Sequence, residues 1–130
     1  MKKIVLIIFL TLLTGVLAIS PGCKEIKSGI DITDGSWAVT MTWGGTTISL
    51  VYSFRGDLDS GSVYYGEEAR GMYIVDGDSV NFSVTHYDTD DAAYLYSFRG
   101  AFIDYFNMEG EFSINNPDGS IDNGTFTAYR

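Results

Sequence analysis

From residue 34 onward, apolar and polar residues alternate with period two through most of the chain. Trp37, Val39, Met41 and Trp43 share one face, with Ala38, Thr40 and Thr42 opposite. Ile48, Leu50, Tyr52 and Phe54 repeat the pattern, as do Val80, Phe82, Val84 and His86, then Tyr94, Tyr96, Phe98 and Phe102. Phe106, Met108, Phe112 and Ile114 follow the same rule, and Thr125 to Tyr129 forms the last such segment. Strict alternation is the signature of strands with one buried and one solvated face. Gly44-Gly45, Ser60-Gly61, Asp76-Gly77, Asp88 to Asp91 and Asn115 to Gly119 punctuate these runs as turns. Ser62–Tyr65 and Gly71–Val75 read as a strand pair or one kinked strand. No segment of this part has helical periodicity. The expectation is an all-β fold, an antiparallel up-and-down meander of about eight strands over residues 34–130. Such an array protects its edges by closing into a small barrel, or else by stacking as a two-sheet sandwich.

The pattern echoes itself. Tyr52-Ser53-Phe54-Arg55-Gly56 recurs as Tyr96-Ser97-Phe98-Arg99-Gly100. Each copy is followed by a Gly-x-aromatic strand, at Gly71 and at Gly110, and each half ends in Thr-x-Tyr. Two similar half-barrels, or convergent barrel geometry, would produce this. Gly56 and Gly100 inside strands are expected where a strand bends or bulges at a corner. Arg55 and Arg99 then fall on the outer face.

The first residues differ. Met1-Lys2-Lys3 precedes an apolar run from Ile4 to Leu13 that extends, with Thr14 to Ala18, to about 15 residues. That is shorter than the roughly 20 needed to cross a bilayer, and it reads as an export signal over residues 1–22. Cys23, the sole cysteine, follows Ser20-Pro21-Gly22, which resembles a bacterial lipobox. The resemblance implies lipid attachment at Cys23, with residues 23–33 as a polar tether. Each buried CH₂ of an attached chain contributes about 0.8 kcal/mol, so the domain itself need not touch lipid. Ordinary cleavage with soluble secretion, or an uncleaved anchor, are the alternatives.

Composition excludes several function classes. The formal charge of −9 speaks against nucleic acid held by a basic face. Without Lys2 and Lys3 the eight basic residues fall to six against 17 acidic, a charge of −11. One Cys cannot form an internal disulfide, and one His with one Cys leaves zinc without a ligand set. Asp88, Asp90 and Asp91 cluster in one loop, and Asp118, Asp122 and Asn123 in another, but neither has the EF-hand spacing, and Asp and Asn are favoured turn residues. There is no Gly-x-Ser-x-Gly elbow and no phosphate-cradling glycine loop. Asp104 continues an inward face after Phe102 and is the likeliest inward carboxylate, yet it lacks an assignable partner for glycosidase chemistry. The chain therefore reads as a binder rather than an enzyme, needing no cofactor or metal.

What remains is aromatic. Trp43, Tyr52, Phe54, Tyr94, Tyr96 and Phe98 fall on predicted inner faces together with His86, the sole histidine. An eight-stranded barrel is just wide enough to be filled by side chains or to hold one small ligand. Tyr64, Tyr65, Tyr73, Tyr87, Tyr105 and Tyr129 are ambiguous or outward, and would suit a protein partner.

Asp34-Gly35-Ser36-Trp37, a Gly-x-Trp opening the first strand of a meander, resembles the calycin-like barrels: lipocalins, avidins and related small bacterial barrels. The resemblance implies that Trp37 packs across a closed barrel end, and it transfers no ligand contact. A second likeness of shape is to bacterial barrel lipoproteins that inhibit proteases. The expected function is an exported, lipid-anchored barrel in the bacterial cell envelope, facing the periplasm or the cell surface. It would bind a small apolar or aromatic molecule through Trp43, Tyr52, Phe54, His86, Tyr94, Tyr96 and Phe98. The alternative is a protein-interaction module with a filled barrel.

Overall fold

A computed structural model describes residues 29–130. The expected signal segment, the expected attachment at Cys23 and most of the segment read as tether lie outside the described residues. Eight strands follow one another: β1 (Ser36–Trp43), β2 (Thr46–Gly56), β3 (Ser60–Tyr65), β4 (Glu68–Asp76), β5 (Ser79–Tyr87), β6 (Ala93–Asp104), β7 (Asn107–Asn115) and β8 (Ile121–Tyr129). Each pairs antiparallel with the next, and β8 returns to pair with β1, so the sheet is a closed barrel and not a sandwich. Closure leaves no edge strand exposed.

Alternation sets the core. Trp37, Val39 and Met41 on β1, Tyr52 and Phe54 on β2, Val80, Phe82 and Val84 on β5, and Phe98 and Phe102 on β6 are all buried inside. Their rings meet mostly edge to face, Phe54 against Phe82 at 5.1 Å and Phe98 against Phe126 at 5.2 Å. Phe82 and Phe98, direct partners across β5 and β6, stack at 4.3 Å. Such pairs add about 0.5–1.5 kcal/mol each beyond the area they bury.

The glycines at the corners are sterically required. At Gly56, with φ +146°, a Cβ would lie 2.7 Å from the Gly61 Cα. At Gly100 it would lie 2.4 Å from the Glu109 carbonyl oxygen and 2.8 Å from the Phe126 ring. Here the wall of β6 approaches β7 and β8 too closely for any side chain.

The β1–β2, β3–β4, β5–β6 and β7–β8 turns gather at one end of the barrel, and the other three turns at the opposite end. This second end is sealed. Trp37 is fully buried there, and its indole N–H donates to the Ile32 carbonyl at 2.9 Å. Ile32, within the segment read as tether, is itself fully buried. The Arg130 guanidinium lies 4.5 Å from the Trp37 ring centre and 3.9 Å from that of Tyr105. It donates to the carbonyls of Asp34 and Tyr105, both at 2.8 Å. Trp37 thus packs beneath Arg130 at this end of the barrel.

Ser62–Tyr65 and Gly71–Val75 lie on β3 and β4, which pair antiparallel, so of the two alternatives the strand pair holds. Three readings are corrected. Ser60-Gly61 is not a turn but the start of β3, because the β2–β3 reversal uses Asp57 to Asp59. Phe106 is exposed in the β6–β7 turn, since a register shift between Phe102 and Asp104 ends the alternation before it. Asp104 is exposed at the end of β6 and accepts from the Asn107 amide at 3.0 Å and the Phe106 N–H at 2.8 Å, which hold its carboxyl below the usual range. The sequence echo survives in part. Tyr52/Tyr96 and Phe54/Phe98 point inward and Arg55/Arg99 outward on β2 and β6, four strands apart. The Gly71 and Gly110 strands, β4 and β7, are three apart, so the halves do not repeat strand for strand.

Candidate functional site

The unsealed end holds the polar part of the aromatic interior. Tyr52 is fully buried, and its hydroxyl lies 2.7 Å from Nε2 of the half-buried His86. Burial pushes the Tyr52 hydroxyl well above its ordinary value, with Tyr96 and Tyr65 adding to the shift, so it keeps its proton. Among the described residues its bonded partner is His86 alone. Because a buried hydroxyl proton needs an acceptor, the Tyr52 O–H is assigned as the donor to Nε2, with the neutral imidazole's own proton on Nδ1. Burial, and then the nearby Arg70 charge, lower the His86 pKa below its ordinary value. Both shifts favour this neutral pair.

Two tyrosines frame the imidazole. The rings of Tyr65 from β3 and Tyr96 from β6 each stand 4.8 Å from it, at 83° and 71°. Tyr52 meets Phe82 at 6.1 Å and Phe98 at 6.0 Å, which connects this cluster to the stacked core beneath. Trp43 is half-buried and packs edge to face on Phe112 at 5.4 Å. Tyr94 is half-buried at the rim, and its hydroxyl donates to Asp88 at 3.2 Å.

The residues singled out from sequence thus separate by depth. Tyr52, His86 and Tyr96 are brought together. Trp43 and Tyr94 lie at the rim of the same end, while Phe54 and Phe98 are buried in the packed interior and have almost no exposed surface. Tyr65 was read as ambiguous, and it forms one wall of the cluster. Tyr73, also read as ambiguous or outward, is buried on the inner face, where its hydroxyl donates to the Asp57 carbonyl near the sealed end. The sequence pattern groups Asp122 with a loop. It lies on β8 at the inward register of Phe126 and Gly124, half-buried, and accepts from the Asn116 amide at 3.0 Å. Counting back by twos from Phe126 would have found it.

The outer wall of the same end carries an open groove of about 610 Å³ lined by Glu68, Ala69, Arg70, Tyr87 and Asp91. It arises at a bulge, because the β3–β4 register shifts between Val63 and Tyr64 and leaves Arg70 unpaired in the ladder. Arg70 ion-pairs with Glu68 at 2.5 Å. A second shallow groove, largely apolar, crosses the outside of β4, β5 and β6 beside the exposed Met72 and Ile74. Among the described residues, no group of three or more His, Cys, Asp or Glu side chains is placed to hold a metal ion.

No protein-family model matches the sequence, and no curated protein matches it. One solved structure, EF1p2_mFAP2b bound to DFHBI, is similar in fold. The similarity covers 76% of this chain and 94% of that one, with a TM-score of 0.59 and 14% sequence identity.

Proposed function

We propose that this chain is an exported, lipid-anchored barrel protein that binds a small apolar or aromatic molecule at its unsealed end. One observation carries the reading. The two ends of the barrel are built differently, one sealed by Trp37, Ile32 and Arg130, the other finished by the half-buried rings of His86 and Tyr96 around a single hydrogen bond. An apolar interior with a few convergent polar groups at its mouth is the usual form of a small-molecule site. That a barrel of similar fold was solved bound to DFHBI supports the same reading. The function assigns the chain no catalysis and no cofactor. Anchoring at Cys23 would hold the barrel in the bacterial envelope, facing the periplasm or the cell surface.

Mass spectrometry of the full chain, produced in a bacterial host, tests both parts. Denaturing spectra should show loss of residues 1–22 and a lipid adduct on Cys23. Native spectra should show a small molecule retained on the barrel. An unmodified full-length mass would refute the anchor, and a bare barrel that retains no added aromatic compound would refute the binding.

A protein-interaction role is the second reading. It rests on the exposed Met72 and Ile74 beside the apolar groove of the outer wall.

A further inference from the structure

We infer that His86 is a built-in occupant of the mouth, and that the molecule replacing it is aromatic and carries a hydrogen-bond acceptor for the Tyr52 hydroxyl. The inference rests on the binding site proposed above and names the chemistry of its ligand.

The interior beneath the mouth is full. Phe54, Phe82, Phe98 and Phe126 are all buried and joined by successive ring contacts, so a guest cannot simply enter it. Space must come from a side chain that leaves. Tyr52 is fully buried at 0% exposure, whereas His86 and Tyr96 are half-buried. Of these, His86 touches three other rings, Tyr65 and Tyr96 each 4.8 Å away and set steeply to its plane, and Tyr52 at 5.8 Å and tilted by 31°. The space that it fills is therefore lined by aromatic rings.

Removing His86 has a specific cost. The Tyr52 hydroxyl is a buried donor whose partner among the described residues is the His86 Nε2 at 2.7 Å. Its other ring neighbours, Phe82, Phe98 and Tyr65, make no hydrogen bond to it. A buried donor left without an acceptor loses the full free energy of its desolvation. A purely apolar guest would incur that loss in addition to displacing the imidazole. A guest with a carbonyl, carboxylate or aromatic nitrogen would take over the hydrogen bond and avoid it. The protein thus discriminates by one acceptor atom placed where Nε2 now lies. Sites built around a buried hydrogen bond reject analogues that lack the partner group far more strongly than apolar pockets reject a change of size.

Acetophenone and ethylbenzene form a suitable probe pair, close in shape and differing in a carbonyl oxygen. Each is titrated into the full chain, and the signals of His86, the only histidine, are followed by NMR. Acetophenone is expected to bind about tenfold or more tightly than ethylbenzene. Its binding should move the His86 ring signals toward those of a solvent-exposed imidazole. Tyr52→Phe retains the ring and removes only the donor, so it should erase the preference. His86→Ala should tighten the binding of both probes. Equal affinities in the unaltered protein, a preference that survives Tyr52→Phe, or binding that leaves His86 unmoved would each overturn the inference while leaving the site intact. If neither probe binds even to His86→Ala, the mouth is no binding site and the proposed function fails with it.

Discussion

The Tyr52 hydroxyl on β2 and the His86 Nε2 on β5 meet at 2.7 Å, although their strands are three apart around the barrel wall. The bond ties opposite parts of the wall together through the interior. A hydrogen bond of this kind contributes about 0.5–1.5 kcal/mol net. Tyr52→Phe should therefore lower stability by about 1 kcal/mol in denaturant melts with an unchanged m-value. No change at all would mean that the pair does not form.

The same pair sets a pH dependence. The His86 pKa is lowered in the folded protein, by burial first and the Arg70 charge second. Between the folded value and the ordinary value of about 6.5, the unfolded chain binds more protons than the folded one. The contribution of neutral His86 is thus fully present above pH 6.5 and is lost as pH falls through the lowered folded value. Melting temperatures measured from pH 7.5 down to 4.5 should fall over this range. In His86→Gln that part of the fall should disappear, leaving only the carboxylate titrations at lower pH.

Trp37 should be the most sensitive point of the sealed end. It is fully buried, donates to the Ile32 carbonyl and lies under the Arg130 guanidinium. Trp37→Ala is expected to cost about 3–5 kcal/mol. A loss under about 1 kcal/mol in denaturant melts would contradict the role assigned to it.

Gly100→Val should destabilise by about 1–3 kcal/mol or prevent folding, because its Cβ would meet the Glu109 carbonyl and the Phe126 ring. Ser97→Val, on the outward face of the same strand, serves as the control and should change the melt little. Equal effects of the two would mean that β6 does not approach β7 and β8 as described.

Much of this architecture is legible in the chain because period-two alternation states directly which residues face inward. It places Trp37, Val39, Met41, Tyr52, Phe82 and Phe98 inside, and all are buried. It fails where both faces are apolar or where the ladder slips. The unbroken apolar run Met72 to Val75 hides the inward face of Tyr73, and the shift near Asp104 misplaces Phe106. The site is only half legible for a different reason. Alternation gives the face of a residue but not its height, which depends on strand tilt and stagger. That Tyr52, His86 and Tyr96 share an inner face could be read from sequence. That Phe54 and Phe98 lie too deep, and that Tyr65 closes the cluster, required the barrel itself.

The proposed binding surface is the mouth and not the outer wall, and aromatic-ring and methyl NMR during titration with a small acceptor-bearing aromatic compound distinguishes the two. Shifts should concentrate on Tyr52, Tyr65, His86 and Tyr96, and leave Trp37 and Phe102 at the sealed end unmoved. Shifts centred instead on Met72 and Ile74 of the outer wall, with His86 silent, would refute binding at the mouth.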